Sequence, residues 1–380
     1  MRVLIATKIF PSALEPDSAP FNRQQFAALA KLCEVKVLAT IPHFPLARLV
    51  NRWSSAARLG AVPKNEQIDG LDVVHPRTLY VPKWSALSAG LYAASLWSQV
   101  SHLRGEFDVL LGAWAYPDAV AMVLLGQLLG LPTVMKLHGS DIDVLGERPL
   151  LRAQMRWAFA RARRVVAVSR ALAQKAEALG APVDRVATVR NGVDTSRFFP
   201  RDRQAARAKL GLADRPTIVF VGRLERDKGV RELFQAHAEL QQRQIALVLV
   251  GDGPERARGD DHGLVHAVGR QPFGTIADWI AASDVLALPS YHEGTPNVIL
   301  EAHACGRPVV ATRVGGIAEL IDAPLLGELV PPRDAAALGS ALVRVLERRH
   351  DAEAIVRACQ ARSWADSALE LHRVLKEATV

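Results

Sequence analysis

The sequence lacks the features that mark several large classes of protein. Its three cysteines are too few and too widely spaced for a disulfide framework or a cysteine-ligated metal, which fits a protein of the reducing cytoplasm. The longest apolar stretch, Ala119–Leu131, is interrupted by Gly126 and Gln127 and falls short of the ~20 residues that a membrane-spanning helix needs. The apolar run Met1–Thr7 is too short for a signal peptide and predicts a buried first strand. We therefore expect neither an integral membrane protein nor a disulfide-stabilised scaffold.

The composition also excludes intrinsic disorder. Hydrophobic residues make up 49% of the chain and charged residues 23%, values that are ordinary for a globular protein. At about 150 residues per domain, the 380 residues predict two domains, each large enough to bury its own core.

Basic residues are unevenly distributed along the chain. Lys and Arg outnumber Asp and Glu by 47 to 39; residues 1–195 hold 23 basic and 15 acidic residues, whereas residues 196–380 hold 24 of each. This asymmetry indicates an anionic partner for the first half: nucleic acid, an anionic membrane or a phosphate-bearing substrate. The densest basic cluster is the short Arg161–Arg164, and no nucleic-acid recognition motif is present. We therefore expect a membrane or a phosphate-bearing substrate rather than nucleic acid.

Short β-branched runs alternate with segments of helical periodicity along the whole chain. Nearly apolar strands separated by helices indicate parallel sheets covered on both faces, so we predict an α/β fold of two doubly wound, Rossmann-like domains facing a cleft. The turn-forming and charged segment Asn191–Pro200 predicts a boundary between residues 1–195 and 196–363. The predicted strands are Val3–Ala6, Val35–Ala39, Val73–His75, Val109–Leu111, Thr133–Leu137, Val165–Val168, Ile218–Val221, Ala246–Val250, Leu264–Val268, Val285–Leu288 and Val309–Ala311.

One loop between a strand and a helix carries the strongest chemical signal. The strand is predicted to end at Leu288, and Thr295 with Pro296 resembles an N-cap followed by proline at the first helical position. A helix beginning at Pro296 would point its backbone N–H groups and positive dipole end toward the strand ends, which suits a phosphate. Glu293 precedes this helix and Glu301 lies within it. Taken alone, two such glutamates are more often solvated carboxylates.

A second loop, after the strand Ile218–Val221, carries the two cations Arg223 and Lys228. Two cations at the mouth of a strand suit a diphosphate whose leaving oxygen gains charge in the transition state. In isolation the loop would more often be an ordinary solvated one.

The spacing of Glu293 and Glu301, with Gly294 and Pro296–Leu300 between them, resembles the signature of the retaining glycosyltransferases of family 4, which have the GT-B fold. The resemblance extends along most of the chain, and the loop after the first strand resembles the variant seen in the teichuronic-acid and polysaccharide-assembly branch of the family. The further matching segments are Lys136–Asp141, Arg190–Asp194, Phe220–Gly229, Val248–Pro254, Val268–Arg270, Gly306–Pro308, Gly315–Glu319 and the segment from Trp364.

The resemblance implies a division of roles between the domains. Residues 1–195 would bind the acceptor, residues 364–380 would form a helix that crosses back onto them, and residues 196–363 would bind a nucleotide-diphosphate sugar. The implied catalytic residues are His138, Glu293, Arg223 and Lys228. The implied donor-binding residues are Gly222, Gly251, Arg270, Gly294, Thr295, Pro296, Asn297, Val298 and Glu301, the last on the ribose hydroxyls.

The family's Gly-rich loop after the first strand is replaced here by a loop without glycine. Ala19 occupies the Gly position and Pro20 follows it, so the resemblance implies a sugar or acceptor contact there without the bare backbone that glycine provides.

In the family, His138 and Asp141 of the His-Gly-x-Asp turn would both face the donor sugar. Asp141 and Asp143 also form an Asp-x-Asp pattern, which chelates manganese in the other major glycosyltransferase fold. Because Lys and Arg already supply the positive charge that a metal would, we expect no metal and no other cofactor.

The expected reaction is transfer of a sugar, with retention, from a nucleotide-diphosphate sugar to a glycan or lipid-diphosphate-linked acceptor. Whether Glu293 acts as a nucleophile or positions the sugar stays open, as do two other functions: a nucleotide-sugar epimerase on the same fold and a non-catalytic sugar-nucleotide-binding protein. A dehydrogenase is not expected, because no Gly-x-Gly-x-x-Gly follows Val3–Ala6 or Ile218–Val221.

Two segments of residues 1–195 suggest contact with an anionic membrane. Trp84, Leu87, Leu91 and Tyr92, at helical spacing, fit either a membrane interface or the inward face of a domain helix. With such a surface we expect a cytoplasmic protein, peripheral on the inner face of the plasma membrane. The second, basic amphipathic candidate consists of Arg48, Arg52 and Arg58 interleaved with Leu49, Val50 and Trp53.

Overall fold

The structure is a computed structural model that describes residues 1–43, 59–81, 84–103, 105–143, 146, 148–256 and 263–380. These residues form two compact units: Met1–Asn191 together with Trp364–Val380, and Gly192–Ser363. The second unit begins before the predicted boundary because Val193 already pairs within it. The Val193 N–H donates to the carbonyl oxygen of Arg362 at 2.8 Å, and the Val193 side chain is buried in the core of that unit.

A mostly parallel sheet forms the centre of the first unit. Its strands are β1 (Arg2–Thr7), β2 (Glu34–Ala39), β4 (Asn65–Ile68), β5 (Leu71–Val74), β7 (Val109–Ala113), β8 (Thr133–Leu137), β9 (Arg164–Ala167) and β10 (Val186–Thr188). They lie in the order β10-β9-β8-β7-β1-β2-β5-β4, and the pair β4 and β5 is antiparallel. A separate two-stranded sheet is formed by β3 (Ile41–His43) and β6 (Arg77–Leu79).

Core residues lie on both faces of this sheet, which explains why its central strands are apolar along their whole length. Val3 and Ile5 pack with Phe26 in one core cluster, whereas Leu4 packs with Leu96 in another, as alternation along a strand requires. The helices of this part of the chain are α1 (Pro20–Leu29), α2 (Ser88–His102), α3 (Val120–Leu129), α4 (Ser140–Asp143), α5 (Pro149–Phe159) and α6 (Arg170–Ala178).

The second unit has a parallel sheet of its own. Its strands are β11 (Thr217–Val221), β12 (Ala246–Val250), β13 (Val265–Gly269), β14 (Val285–Leu288), β15 (Val309–Thr312) and β16 (Gly327–Val330). Their order is β13-β12-β11-β14-β15-β16, so β11 and β14 are neighbours from which the chain winds in opposite directions. Its helices are α7 (Arg203–Leu210), α8 (Val230–Leu240), α9 (Ile276–Ala282), α10 (Asn297–Ala304), α11 (Ala335–Glu347) and α12 (Ala352–Cys359).

The last helix, α13 (Trp364–Thr379), belongs to the first unit. Ala368, Leu371 and Leu375 recur at helical spacing and are buried in the same cluster as Val3 and Ile5 of β1. The Gln25 amide nitrogen donates to the Ser367 hydroxyl at 2.8 Å, a contact between two buried polar groups that fixes α13 against α1.

Every strand predicted from the sequence is present, and the prediction of a two-domain α/β fold with parallel sheets is confirmed. The strand β4 has no apolar run because it lies at the sheet edge, where its residues alternate between exposed and half-buried positions. A pattern search for buried strands therefore cannot find it.

The aromatic segment proposed for a membrane interface divides in two. Trp84 (63% exposed) and Leu87 (50% exposed) precede α2, whereas Tyr92 lies inside α2 and is buried. Among the described residues, no helix combines the length and the apolarity that crossing a membrane requires. The basic amphipathic candidate lies outside the described residues; it comprises Arg48, Arg52, Arg58, Leu49, Val50 and Trp53.

Candidate functional site

The predicted donor residues of the second unit lie at the carboxyl ends of four adjacent strands. Gly222 and Arg223 follow β11, Gly251 follows β12, Arg270 follows β13, and the loop with Glu293 follows β14. Ligands of doubly wound sheets bind outside the carboxyl ends of strands where the strand order reverses, which here is between β11 and β14. The topology therefore gathers these residues at the edge where a ligand is expected.

An ion pair joins the loops that follow β11 and β14. The Lys228 ammonium donates to Glu293 Oε1 at 2.8 Å, and the two side chains are only 19% and 15% exposed. The Tyr291 N–H donates to the Asp227 carbonyl oxygen at 2.8 Å, which ties the same loops together through the backbone. Low exposure strengthens the attraction between the charges. Two residues that the resemblance implies to be catalytic are thus in direct contact.

The ends of β11 and β12 approach each other so closely that only glycine fits. A Cβ on Gly251 would lie 1.8 Å from the carbonyl oxygen of Gly222, and Gly251 has φ of 149°. The Gly222 N–H donates to the Val250 carbonyl oxygen at 3.0 Å. These glycines therefore serve close packing of two loops and leave bare backbone beside the cations.

The helix that follows β14 begins one residue later than predicted. Pro296 is the N-cap, with an extended ψ of 113°, and α10 runs from Asn297 to Ala304. The prediction of Thr295 as the cap and Pro296 as the first helical residue was therefore wrong by one position. The physical reason is that the extended ψ of Pro296 excludes it from the helix, although its carbonyl oxygen accepts a bond from the Ile299 N–H at 3.1 Å.

The loop that follows β15 contacts the backbone of Glu293 and Gly294. The Gly316 N–H donates to the Gly294 carbonyl oxygen at 2.9 Å, and a Cβ on Gly315 would lie 1.7 Å from the Glu293 carbonyl oxygen. Gly315 has φ of 52°, a left-handed conformation that favours glycine. The backbone of Glu293 is therefore held by the segment that follows β15.

The remaining predicted polar residues differ in their exposure. Glu301, on α10, is buried, and burial raises the pKa of its carboxyl to about 7, although the charge of Arg197 acts in the opposite direction. Arg223 is exposed and its guanidinium donates to Glu225 Oε1 at 2.9 Å. Arg270 is exposed. The structure thus brings Lys228 and Glu293 together but pairs Arg223 with a different carboxylate.

In the first unit, His138 follows β8 and is surrounded by aromatic rings. Its ring centroid lies 5.1 Å from that of Phe21 and 6.0 Å from that of Trp114. Its Nε2 atom is buried, and no described residue hydrogen-bonds to it. Burial, and then the charge of Lys136, lower the pKa of His138 well below its usual range, so the imidazole is neutral at pH 7.

Asp141 is fully buried and faces the backbone. Its Oδ1 accepts from the N–H of Gly139 at 2.7 Å and of His138 at 3.1 Å, and its Oδ2 accepts from the N–H of Ala115 at 2.8 Å. Burial raises the pKa of this carboxyl, although the three N–H groups favour its charged form. This geometry suits a residue that fixes the His138 turn, and direct contact of Asp141 with a sugar remains a prediction.

The loop without glycine adopts the conformation that glycine usually provides. Ala19 has φ of 43° and ψ of 55° and is the N-cap of α1, and Pro20 is at the start of that helix. A left-handed conformation costs a non-glycine residue about 1–2 kcal/mol. Such strain is a common property of functional loops.

Sequence reasoning included Lys136 in the matching segment Lys136–Asp141 but assigned it no role. It is fully buried in β8, and its ammonium donates to Asn22 Oδ1 at 3.2 Å. The available signal was a lysine in the middle of an otherwise apolar strand, which requires a buried partner.

No group of three or more His, Cys, Asp or Glu side chains is arranged to hold a metal ion in the part of the chain that the structure describes. Asp141, the first carboxylate of the Asp-x-Asp pattern, has its oxygens directed at backbone N–H groups.

Comparisons with known protein families agree with these features. Residues 27–197 match the family described as Glycosyltransferase Family 4, and residues 215–348 match the family described as Glycosyl transferases group 1. A protein of Bacillus subtilis (strain 168), TuaC, provisionally assigned as a teichuronic acid biosynthesis glycosyltransferase, is 32% identical over 359 residues, which cover 90% of this chain and 89% of the relative.

Solved structures share the fold over the whole chain. Sucrose-phosphate synthase from Thermosynechococcus elongatus has a TM-score of 0.81 at 21% identity, with 99% of this chain and 98% of that chain covered. HepE of Anabaena, solved in complex with UDP and glucose, has a TM-score of 0.73 at 20% identity, with 99% of both chains covered.

Gly315→Ala is expected to destabilise the protein by about 2 kcal/mol or more, because the new Cβ clashes with the Glu293 backbone in a conformation that already favours glycine. Unfolding in urea measures the change. Gly339→Ala in α11 is the matched control, since its Cβ would lie 3.6 Å from the nearest atom and alanine favours a helix. Equal stability of the two variants would show that the segment after β15 yields and does not brace Glu293.

Proposed function

Since the chain belongs to glycosyltransferase family 4 and has the GT-B fold, we propose that it transfers a sugar, with retention of anomeric configuration, from a nucleotide-diphosphate sugar to a glycan or lipid-diphosphate-linked saccharide. The acceptor would belong to cell-surface polysaccharide biosynthesis. The observation that carries the proposal is the Lys228–Glu293 ion pair at the carboxyl ends of β11 and β14. UDP in the HepE structure supports a nucleotide donor of this kind.

Lys228 and Arg223 are proposed to stabilise the departing diphosphate, with the N-terminus of α10 beside them. The hydrogen bond to Glu293 already orders the Lys228 ammonium, so the side chain loses little conformational freedom when the donor binds. These groups supply positive charge without a metal ion, which supports a metal-independent reaction.

Glu293 is proposed to position the donor sugar rather than to attack it. A carboxylate whose Oε1 accepts a hydrogen bond from an ammonium at 2.8 Å has its negative charge partly neutralised, which weakens it as a nucleophile. Retention would then proceed on one face of the sugar, through an oxocarbenium-like transition state. The neutral His138 imidazole, with its buried Nε2, is proposed to contact a sugar hydroxyl.

A peripheral contact with an anionic membrane is proposed for an exposed surface of the first unit, the Trp84–Arg152 surface, made of Trp84, Leu87, Arg148, Leu150 and Arg152. The turn carrying Trp84 and Leu87 is fixed to α5, because the Gln154 amide donates to the Ala86 carbonyl oxygen at 2.8 Å. Exposed apolar side chains beside arginines suit the interface of an anionic bilayer, where lipid-linked acceptors reside.

The function is tested by thermal-shift or saturation-transfer NMR measurements with UDP-, GDP- and ADP-sugars, followed by transfer to lipid-diphosphate-linked saccharides in buffer containing EDTA. We expect binding of at least one donor and a product with retained configuration. Binding of none, or an inverted product, would contradict the proposal. Release of a free epimer would identify an epimerase, and binding without turnover would identify a non-catalytic protein. Activity that is lost in EDTA and restored by Mn²⁺ would show a metal requirement.

Lys228→Ala is expected to lower kcat about a hundredfold or more, because a key preorganised donor contributes ~3–4 kcal/mol to transition-state stabilisation. Steady-state kinetics with the donor identified above measure the change. Lys209→Ala, which removes an exposed ammonium paired with Asp278 in the same unit, is the control and should leave kcat within twofold. A loss of tenfold or less for Lys228→Ala would place Lys228 away from the phosphates.

Glu301 is proposed to accept hydrogen bonds from the ribose hydroxyls, which requires its ionised form. Because its pKa is raised to about 7 in the free protein, donor affinity should fall about tenfold between pH 8 and pH 6 as the carboxyl takes up a proton. Calorimetric titration with the nucleotide-diphosphate sugar, whose esterified phosphates do not titrate in this range, measures this slope. Glu301→Gln should abolish it, whereas exposed Glu239→Gln should retain it; the same slope in all three proteins would exclude Glu301.

The membrane contact is tested by co-sedimentation with phosphatidylglycerol vesicles. The triple variant W84S/R148S/R152S should bind about thirtyfold more weakly or more, since each of the two arginines near the surface contributes about 1 kcal/mol and Trp84 adds an apolar contact, and wild-type binding should weaken with salt. The control R243S/L369S/R349S removes the same numbers of charges and apolar groups from other exposed positions. Equal binding of both variants would contradict the surface assignment.

A further inference from the structure

Lys136 occupies a position where its charge is unfavourable for folding. It lies in β8 and is fully buried. Among the described residues its ammonium makes one hydrogen bond, to Asn22 Oδ1 at 3.2 Å, and it lies 5.4 Å from the centre of the Phe26 ring. The residues before and after it in the strand are buried and apolar. A methionine would fill the same volume without the cost of desolvating an ammonium. Packing alone therefore does not explain the lysine.

The contacts of Lys136 lead directly to His138. Positions 136 and 138 are two residues apart at the end of β8, and their partners in α1 are consecutive: Phe21 packs on the His138 ring, and Asn22 accepts from Lys136. The Asn22 amide nitrogen in turn donates to the Ile9 carbonyl oxygen at 3.0 Å, which fixes the orientation of that amide. The first turn of α1 is thus attached to β8 at two adjacent points.

The charged neighbour that acts on the Lys136 ammonium is Asp141, in α4, whose carboxylate favours the protonated amine. Its other neighbours, Asn22 and Phe26 in α1, carry no charge. Burial nevertheless lowers the pKa of Lys136 to about 7, and the Lys136 charge acts on His138 to disfavour the imidazolium.

We propose that Lys136 is a positioning residue for His138: through Asn22 it holds the first turn of α1, and with it the Phe21 ring that packs on the imidazole, against the end of β8. The inference rests on the proposed contact of His138 with the sugar. It assigns a function to a lysine that burial alone makes unfavourable.

The test compares Lys136→Met, Asn22→Ala and the exposed control Lys31→Met in three measurements. Thermal unfolding of Lys136→Met should be unchanged or shifted upward, because a buried charge is removed. In two-dimensional ¹H–¹⁵N NMR, the imidazole resonances of His138 should move in both Lys136→Met and Asn22→Ala, because the Phe21 ring shifts relative to the imidazole, and they should be unchanged in Lys31→Met. With the wild-type donor and acceptor, both variants should lose about tenfold or more in kcat, with a smaller change in KM, as expected when a reacting geometry is loosened.

The inference is overturned if the His138 resonances do not move in Lys136→Met, if kcat stays within twofold, or if Lys136→Met unfolds at a much lower temperature, which would show a merely structural role. A wild-type protein without transferase activity would instead contradict the proposed function. In that case the His138 resonances still decide whether Lys136 positions the imidazole.

Discussion

The Lys228–Glu293 ion pair is the interaction on which the site of the second unit depends. Its partners are 65 residues apart in the sequence and meet because parallel strands β11 and β14 end at the same sheet edge. Backbone bonds on either side, from Tyr291 to Asp227 and from Gly316 to Gly294, hold the two loops so that the charges stay in contact. An ammonium ordered in this way loses little conformational freedom when an anion arrives, which is the physical content of preorganisation.

The candidate site residues of the first unit are held by features that lower the stability of the fold. Within a short stretch of structure it combines a buried ammonium at Lys136, a buried carboxyl at Asp141, a left-handed Ala19 and a buried imidazole nitrogen on His138. Each of these features costs stability, whereas the strands around them follow the ordinary rules of apolar burial. Buried polar groups and strained backbone that occur together at one end of a sheet are typical of a functional site.

The structure could be predicted best where the type of residue determines its burial or its backbone conformation. Buried strands such as β12 are apolar and could be located from composition, and the motif around Glu293 identified its loop because glycine permits, and proline fixes, backbone conformations that other residues rarely adopt. The start of α10 was misplaced by one residue because the pattern Thr-Pro does not report the ψ of Pro296. The Lys136–Asn22 contact joins residues 114 apart, and the direction of the Asp141 carboxylate depends on the N–H of Ala115, so neither follows from local sequence.

The return of α13 to the first unit has a consequence for biosynthesis. Leu371 and Leu375 fill a core whose strands begin at Arg2, so the ribosome must deliver the entire second unit before the first can close. The second unit, in contrast, has all of its residues once Ser363 has been made. The first unit therefore cannot complete its core before α13 has been made, and the β1 sheet keeps part of its apolar face uncovered until then.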